Sequence, residues 1–338
     1  MLSRVQRINA FANLGKFITS TENQEIVEDW VAYAKSRNNW FTPENVTRSL
    51  EAIAREYLSR EHLEKWAAQY PEPVSPKKVG VVMAGNIPAV GFHDALSVLI
   101  SGHILLVKLS SDDTILITAL LNKLVEIEPE LTESIVFVDR LNDSDAYIAT
   151  GSDNTARYFH YYFAKKPNII RRNRTSVAIL TGDETSQELE ALGKDILQYF
   201  GLGCRNVSKV FVPSGYDFTK FYESIQHMDS LFLHNHKYFN NYEYNKSIFL
   251  INRVPHVDNG FLMITENKAL VSPISVLHFE TYDDLEAVKS ALKEAEEKVQ
   301  CVIGHADLHG ILPFGKSQEP GLFDYADGVD TMAFLSQL

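Results

Sequence analysis

Val79-Gly80-Val81-Val82-Met83-Ala84-Gly85-Asn86-Ile87-Pro88 is the stretch whose reading decides the fold. An apolar run of strand length, broken by Gly85 and Pro88, reads as a strand buried on both faces. Downstream, Gly91 to Ser101 has helical spacing, and Ile104 to Leu109 is a second buried run. A helix follows over roughly 113–126, then strands at Ile135–Val138 and Ala146–Ala149. The next helix carries Ala156, Phe159, His160 and Phe163, and Ser176–Leu180 reads as a fifth strand. Repeated strand–helix units with short connections predict a parallel, doubly wound α/β sheet. Upstream, residues 1–70 read as helical, with Thr42-Pro43-Glu44 as a helix start. Pro71, Pro73 and Pro76 mark an extended linker.

A second unit begins near 181. Thr185 and Glu188 have capping-box spacing, and Leu189, Leu192, Ile196 and Tyr199 recur at helical intervals. Gly201 is placed as the left-handed stop of that helix. Val210-Phe211-Val212-Pro213 reads as a strand, so Cys204 falls on a glycine-flanked loop between helix and strand. A thiol so placed is either a nucleophile or a small buried residue that happens to be sulfur. Residues 231–252, rich in aromatics and Asn, look strand-like, and Pro273–Phe279 is a further strand. Leu285–Lys298 is a charged amphipathic helix, Cys301–Ile303 a strand, and 310–338 a Gly- and Pro-rich tail.

Composition narrows the function classes. Of 338 residues, 45% are hydrophobic and 22% charged, as in ordinary globular proteins with room for two cores. The formal charge of −12 argues against nucleic-acid binding, which needs clustered Lys and Arg against phosphates. Two cysteines, Cys204 and Cys301, are too few for a disulfide framework and fit a reducing cytoplasm. The N-terminal residues do not read as a signal peptide, and no apolar run is long enough to span a bilayer.

Several clusters invite chemistry, each with a plainer reading beside it. No G-x-G-x-x-G follows the first strand, so a conventional dinucleotide cradle is missing. Thr150-Gly151-Ser152 ends a strand and opens a helix, placing N–H groups and a hydroxyl for a pyrophosphate, as many unliganded turns also do. Asn86 either holds a turn or donates its amide to an oxyanion. Arg171, Arg172 and Arg174 either grip a phosphate-bearing ligand or form a solvated, carboxylate-paired face. His234 and His236 have no further ligand at metal-binding spacing, so no metal is expected. Cys301 lies in an apolar run and reads as core, and no G-x-S-x-G signature occurs.

Five segments in order carry a family likeness: Gly85-Asn86-Ile87-Pro88, Val107-Lys108-Leu109-Ser110-Ser111, Ala149-Thr150-Gly151-Ser152, Phe200-Gly201-Leu202-Gly203-Cys204, and Pro313–Ser317 through Asp324–Asp330. Together they resemble the aldehyde dehydrogenase superfamily, and within it the LuxC-type acyl-CoA reductases, from about residue 75 to the end. The resemblance implies an aldehyde-dehydrogenase-like fold with a cofactor domain and a smaller α/β catalytic domain. It also implies Cys204 as nucleophile and Asn86 in the oxyanion hole. Lys108, Ser110 and Ser111 would lie at the adenosine end of the dinucleotide, and Thr150, Gly151 and Ser152 at its pyrophosphate.

Departures from the family pattern sharpen the expectation. Aligning Lys166-Pro167 with the family's Lys-Pro puts Arg171 where most aldehyde dehydrogenases have a Glu that activates water. Without that base, a thiol such as CoA becomes the natural acyl acceptor. Ser111 replaces a ribose-binding Glu, which relieves repulsion of a 2′-phosphate and favours NADPH. The family's later nicotinamide-ribose Glu falls on Lys268 or Glu266. The expected protein is therefore a cytoplasmic, NADPH-dependent reductase of acyl-CoA to aldehyde through an acyl-cysteine, without metal. The Arg171, Arg172 and Arg174 cluster would hold CoA or NADPH phosphates. The reverse reaction, a CoA-acylating aldehyde dehydrogenase, stays open, as does a scaffold subunit that binds acyl thioester without reducing it. A homo-oligomer is compatible with the resemblance. The domains expected are a helical segment 1–74 packed on a cofactor domain 75–180, a catalytic domain 181–304, and a return of 305–338 to the cofactor domain.

Overall fold

Strand β1 (Lys78–Val82) sits in the middle of a sheet: Val79 and Val81 are wholly buried, and so are Leu105, Val107, Ile148 and Ala149 on its two neighbours. Around it lie β2 (Ile104–Lys108), β3 (Ile135–Phe137), β4 (Ala146–Thr150) and β5 (Asn168–Arg171), in the order β3-β2-β1-β4-β5 and all parallel. The structure, a computed structural model, describes residues 2–305 and 310–338. Register places Val82 opposite both Lys108 and Ala149, so the carboxyl ends of β1, β2 and β4 are flush. Successive strands step outward from β1 in one direction to β3 and in the other to β5. That reversal is the topological switch point at which open α/β sheets bind ligands.

One core joins this sheet to helices. Phe11 and Leu14 of the helix Arg4–Thr19, Trp66 of Arg60–Ala67, Phe92 of Phe92–Ser101 and Leu120 of Ile115–Ile127 pack with Val79 and Val81. Thr42 caps the helix Pro43–Ala52, with proline in the first turn. The C-terminal residues belong to the same body. His103 Nε2–H donates to Leu335 O at 2.9 Å, and its Nδ1 accepts the Lys77 N–H at 3.1 Å.

The chain divides into two compact units, Met1–Asn173 with Pro320–Leu338, and Arg174–Glu319. The second contains β6 (Thr175–Ile179), β7 (Val207–Pro213), β8 (Val257–Asp258), β9 (Met263–Glu266), β10 (Val276–Tyr282) and β11 (Val299–Gly304). Their order is β11-β6-β7-β10-β9-β8, parallel throughout except for the β8–β9 pair. Both units are α/β, as the strand–helix alternation predicts.

Three expectations need correction. The run Ser176–Leu180 is not the fifth strand of the first sheet, since β6 pairs with β7 and β11. The fifth strand is Asn168–Arg171, whose arginine end reads from the sequence as a basic cluster. The crossings therefore fall at 173/174 and 319/320, not near 180 and 305, and residues 306–309 within the expected return lie outside the described residues. Finally, 231–252 is helical, as Asp229–Leu233 and His236–Asn252. Tyr238, Tyr242 and Asn245 are buried at helical spacing, and the Asn235 side chain caps the helix at Tyr238 N, 3.1 Å. Aromatic and Asn content suggested strands, but periodicity and a cap decide the element. Among the described residues no helix is long and apolar enough to cross a membrane.

Candidate active site

The flush strand ends of the first unit bring together the expected cofactor residues. Lys108 is exposed at the end of β2, Ser110 and Ser111 follow it, and Thr150 closes β4 beside them across β1. Ser152 caps the helix Asp153–Phe163, its hydroxyl accepting the Thr155 N–H at 3.3 Å. The Gly151 N–H is used by Arg171 O at 3.4 Å, which removes it as a ready pyrophosphate donor. The first-turn N–H groups of Asp153 and Asn154 have no intrahelical acceptor and carry the positive end of the helix dipole.

The loop after β1 is pinned from below. A Cβ on Gly85 would lie 2.5 Å from Ser110 Oγ and 2.6 Å from its Cβ, so only glycine lets the two loops meet. Asp113 is buried and accepts the Ala89 N–H at 2.7 Å and the Leu116 N–H at 3.2 Å. Burial raises its carboxyl to about 6 against those two donors, which pull the other way. Ser49 donates to Pro88 O at 2.7 Å, and Ala89 itself has φ 55. On this fixed loop Asn86 is exposed.

Cys204 is carried by the second unit, half-buried in a turn between the helix Ser186–Leu197 and β7. The capping box at Thr185 and Glu188 forms as read from the sequence. The helix stops earlier than Gly201 predicts. Tyr199 and Phe200, at φ 52 and 60, are already left-handed, and Gly201 at φ 75 is the third such residue. A non-glycine residue in that region costs about 1–3 kcal/mol. Both aromatic side chains are buried, Phe200 against Phe232 and Tyr238, which returns a similar roughly 1.5–3 kcal/mol each. Packing, not local preference, sets this path.

Asn206 completes the turn. Its Nδ2 donates to Gln198 O at 2.8 Å, Asp195 O at 3.1 Å and Ile196 O at 3.2 Å, so it closes the end of the preceding helix. Its Oδ1 accepts the Gly203 N–H at 2.8 Å, and its own N–H donates to Gly203 O at 3.1 Å. Ser176 Oγ–H holds Cys204 O at 3.1 Å. Near the end of the preceding helix the buried Asp195 accepts the Gly315 N–H at 2.6 Å, the Ser317 N–H at 3.0 Å and the Ser317 hydroxyl at 2.7 Å. The Pro313–Ser317 motif thus clasps the helix that leads into the cysteine turn.

The arginine cluster does not form. Arg171 points inward, its Nη1 2.6 Å from Asp94 Oδ2 and its Nη2 2.9 Å from Thr331 Oγ1, so it is not placed for a ligand phosphate. Arg174 belongs to the other unit and donates to Glu296 O and Val299 O, both at 3.2 Å. Of the three, Arg172 alone is fully exposed. Only Arg171 lies in β5, while Arg172 and Arg174 follow it in the connection to β6, so the three share no face. Cys301 is buried, as its apolar run predicts, with Arg205 Nη1 3.2 Å from its sulfur. Glu266 is exposed at the end of β9, and the Lys268 carbonyl accepts from Lys209 Nζ at 2.9 Å.

Comparison with known proteins decides the family. Residues 15–232 match the acyl-CoA reductase (LuxC) family. The chain belongs to that family. Solved structures place this LuxC chain in the aldehyde dehydrogenase fold. The aldehyde dehydrogenase KauB from Pseudomonas aeruginosa is 14% identical, with a TM-score of 0.65 over 91% of this chain and 73% of KauB. An NAD+ complex of a Bacillus cereus aldehyde dehydrogenase is also 14% identical, with a TM-score of 0.62 and the same coverages, 91% and 73%. An NADP-dependent enzyme from E. coli is 12% identical, with a TM-score of 0.64 over 91% of this chain and 74% of its own. No curated protein sequence matches the LuxC chain significantly.

Sequence reading missed Asn206, Asp195 and Asp113. Asp195 had a signal: a carboxylate three residues after Leu192 and beside Ile196 falls on the apolar face of its helix. Asn206, three residues after Gly203, had the weaker signal of an Asx turn. Nothing local marks Asp113 as buried.

Proposed function

We propose that the protein reduces an acyl-CoA thioester to the aldehyde, with NADPH as reductant and Cys204 as the covalent nucleophile. The observation that carries this reading is a half-buried cysteine presented on a braced, glycine-flanked turn in a chain of the acyl-CoA reductase family. The Cys204 thiolate attacks the thioester carbonyl, the C–S bond to CoA breaks, and CoA leaves as its thiol after taking a proton. Asn86, exposed on its pinned loop, is the side-chain donor for the developing oxyanion, together with the Cys204 N–H. Bound NADPH supplies the hydride that takes the acyl carbon to the aldehyde level. Cys204 is then expelled as thiolate when the thiohemiacetal carbonyl re-forms.

Lys108, Ser110 and Ser111 hold the adenosine end, and Thr150 and Ser152 with the first turn of the helix Asp153–Phe163 hold the pyrophosphate. Their shared sheet edge and the glycine-only approach of Gly85 to Ser110 support this assignment. With Arg171 tied to Asp94, no carboxylate stands at that position to activate water, which supports a thiol acceptor over hydrolysis.

The test is incubation of wild type and Cys204→Ala with labelled acyl-CoA while NADPH absorbance is followed. Wild type takes up acyl label and oxidises NADPH; Cys204→Ala does neither. Label retained by Cys204→Ala overturns the nucleophile, and acylation without NADPH oxidation overturns the reductase in favour of an acyl-binding subunit.

A further inference from the structure

We infer that Asn206 is the positioning residue of the nucleophile: its carboxamide couples the end of the helix Ser186–Leu197 to the turn that presents Cys204. This rests on Cys204 being the reactive thiol. Asn offers two N–H donors and one carbonyl acceptor, and here every one is used. The donors face Asp195 O and Ile196 O in the last turn of the helix and Gln198 O just past its end. The acceptor takes the N–H of Gly203, the residue immediately before Cys204.

An aspartate of the same shape keeps the acceptor toward Gly203 but sets a carboxylate oxygen against the helix carbonyls. Alanine removes both ends. The turn runs through three successive left-handed residues, Tyr199, Phe200 and Gly201, a path that persists only where the surroundings over-determine it. With Asn206 buried at 3% exposure, solvent does not substitute for its bonds. The brace extends away from the thiol as well. Asp195, whose carbonyl Asn206 holds, is the residue clasped by Gly315 and Ser317. Rotation of the helix end is thereby linked to the height at which Cys204 stands.

Asn206→Asp and Asn206→Ala in the full chain test this. Single-turnover acylation of Cys204 by acyl-CoA should slow at least about tenfold in both, because a shift of the attacking atom of order 1 Å is sufficient for such losses. The KM for acyl-CoA should stay within roughly twofold, since Asn206 makes no uniform binding contact. A purely structural residue would instead lower the urea midpoint and leave the rate per folded molecule unchanged. Folded variants that acylate at the wild-type rate overturn the proposal.

Should neither variant fold, hydrogen exchange on the wild type decides: the Gly203 N–H must be protected, and free exchange there overturns the brace. Iodoacetamide alkylation of Cys204, read by mass spectrometry, separates this proposal from the assigned reaction. If wild-type Cys204 alkylates but takes no acyl group, the reaction is wrong. The brace is then judged on whether the variants change the alkylation rate.

Discussion

Arg171 Nη1 lies 2.6 Å from Asp94 Oδ2, and both side chains are buried. The pair bridges the end of β5 and the helix Phe92–Ser101, and Thr331 takes the second guanidinium nitrogen. The family resemblance sets this position against a water-activating glutamate; in the structure Arg171 is a strut. We predict that Asp94→Ala costs about 3–5 kcal/mol in urea unfolding, because it strands a buried charge. Asp94→Leu with Arg171→Met should recover to within roughly 1–2 kcal/mol of wild type. Arg171→Glu should destabilise and yield no carboxylic acid from acyl-CoA, since it sets two carboxylates together rather than facing a substrate. Acid product from that variant would refute the strut.

Asp113 gives the first unit a pH dependence. Burial lifts its carboxyl from an ordinary 3.8 to about 6, so the folded chain keeps a proton that the unfolded chain releases. Its contribution to stability is complete below the unfolded value and is lost as pH rises through the folded one. Relative to Asp113→Asn, wild type should lose up to roughly 3 kcal/mol between about pH 4 and pH 7. Urea midpoints of the two proteins across that range check it, and a constant difference refutes it.

Gly85→Ala should cost about 1–3 kcal/mol, because the new methyl meets Ser110 and overpacked sites relax poorly. Adding Ser110→Gly removes the two closest atoms and should restore more than half of the loss. The Asp113 N–H, 3.0 Å away, limits full recovery. Thermal unfolding of the single and double variants reads this coupling, and simple additivity of the two changes would refute the contact.

Ser111 tests the cofactor. Ser111→Glu places a carboxylate where a 2′-phosphate is proposed to sit, and should shift kcat/KM from NADPH toward NADH by at least about tenfold. An unchanged ratio would remove Ser111 from the cofactor site.

Much of this was legible in the chain. The buried runs of β1, β2 and β4, the Thr185–Glu188 box and the Thr42-Pro43 start are local signals, carried by residues within a few positions of one another. Sheet membership is not local. Nothing in Ser176–Leu180 says that it pairs with Val207 and Ile303 rather than with β4, because any parallel strand of that character presents the same edges. Residues 231–252 misled through composition, although the buried Tyr238, Tyr242 and Asn245 stand at helical spacing.

By itself the sequence determined an α/β chain of two units with Cys204 on a turn between helix and strand, since periodicity, caps and glycines act at short range. Only the tertiary structure decided which arginines are buried, where the chain crosses between units, and what braces Cys204. Those outcomes depend on atoms brought together from distant positions, such as Arg171 with Asp94, or Asp195 with Ser317. A buried hydrogen bond or ion pair is set by the shape of the whole core, and no window of neighbouring residues contains it.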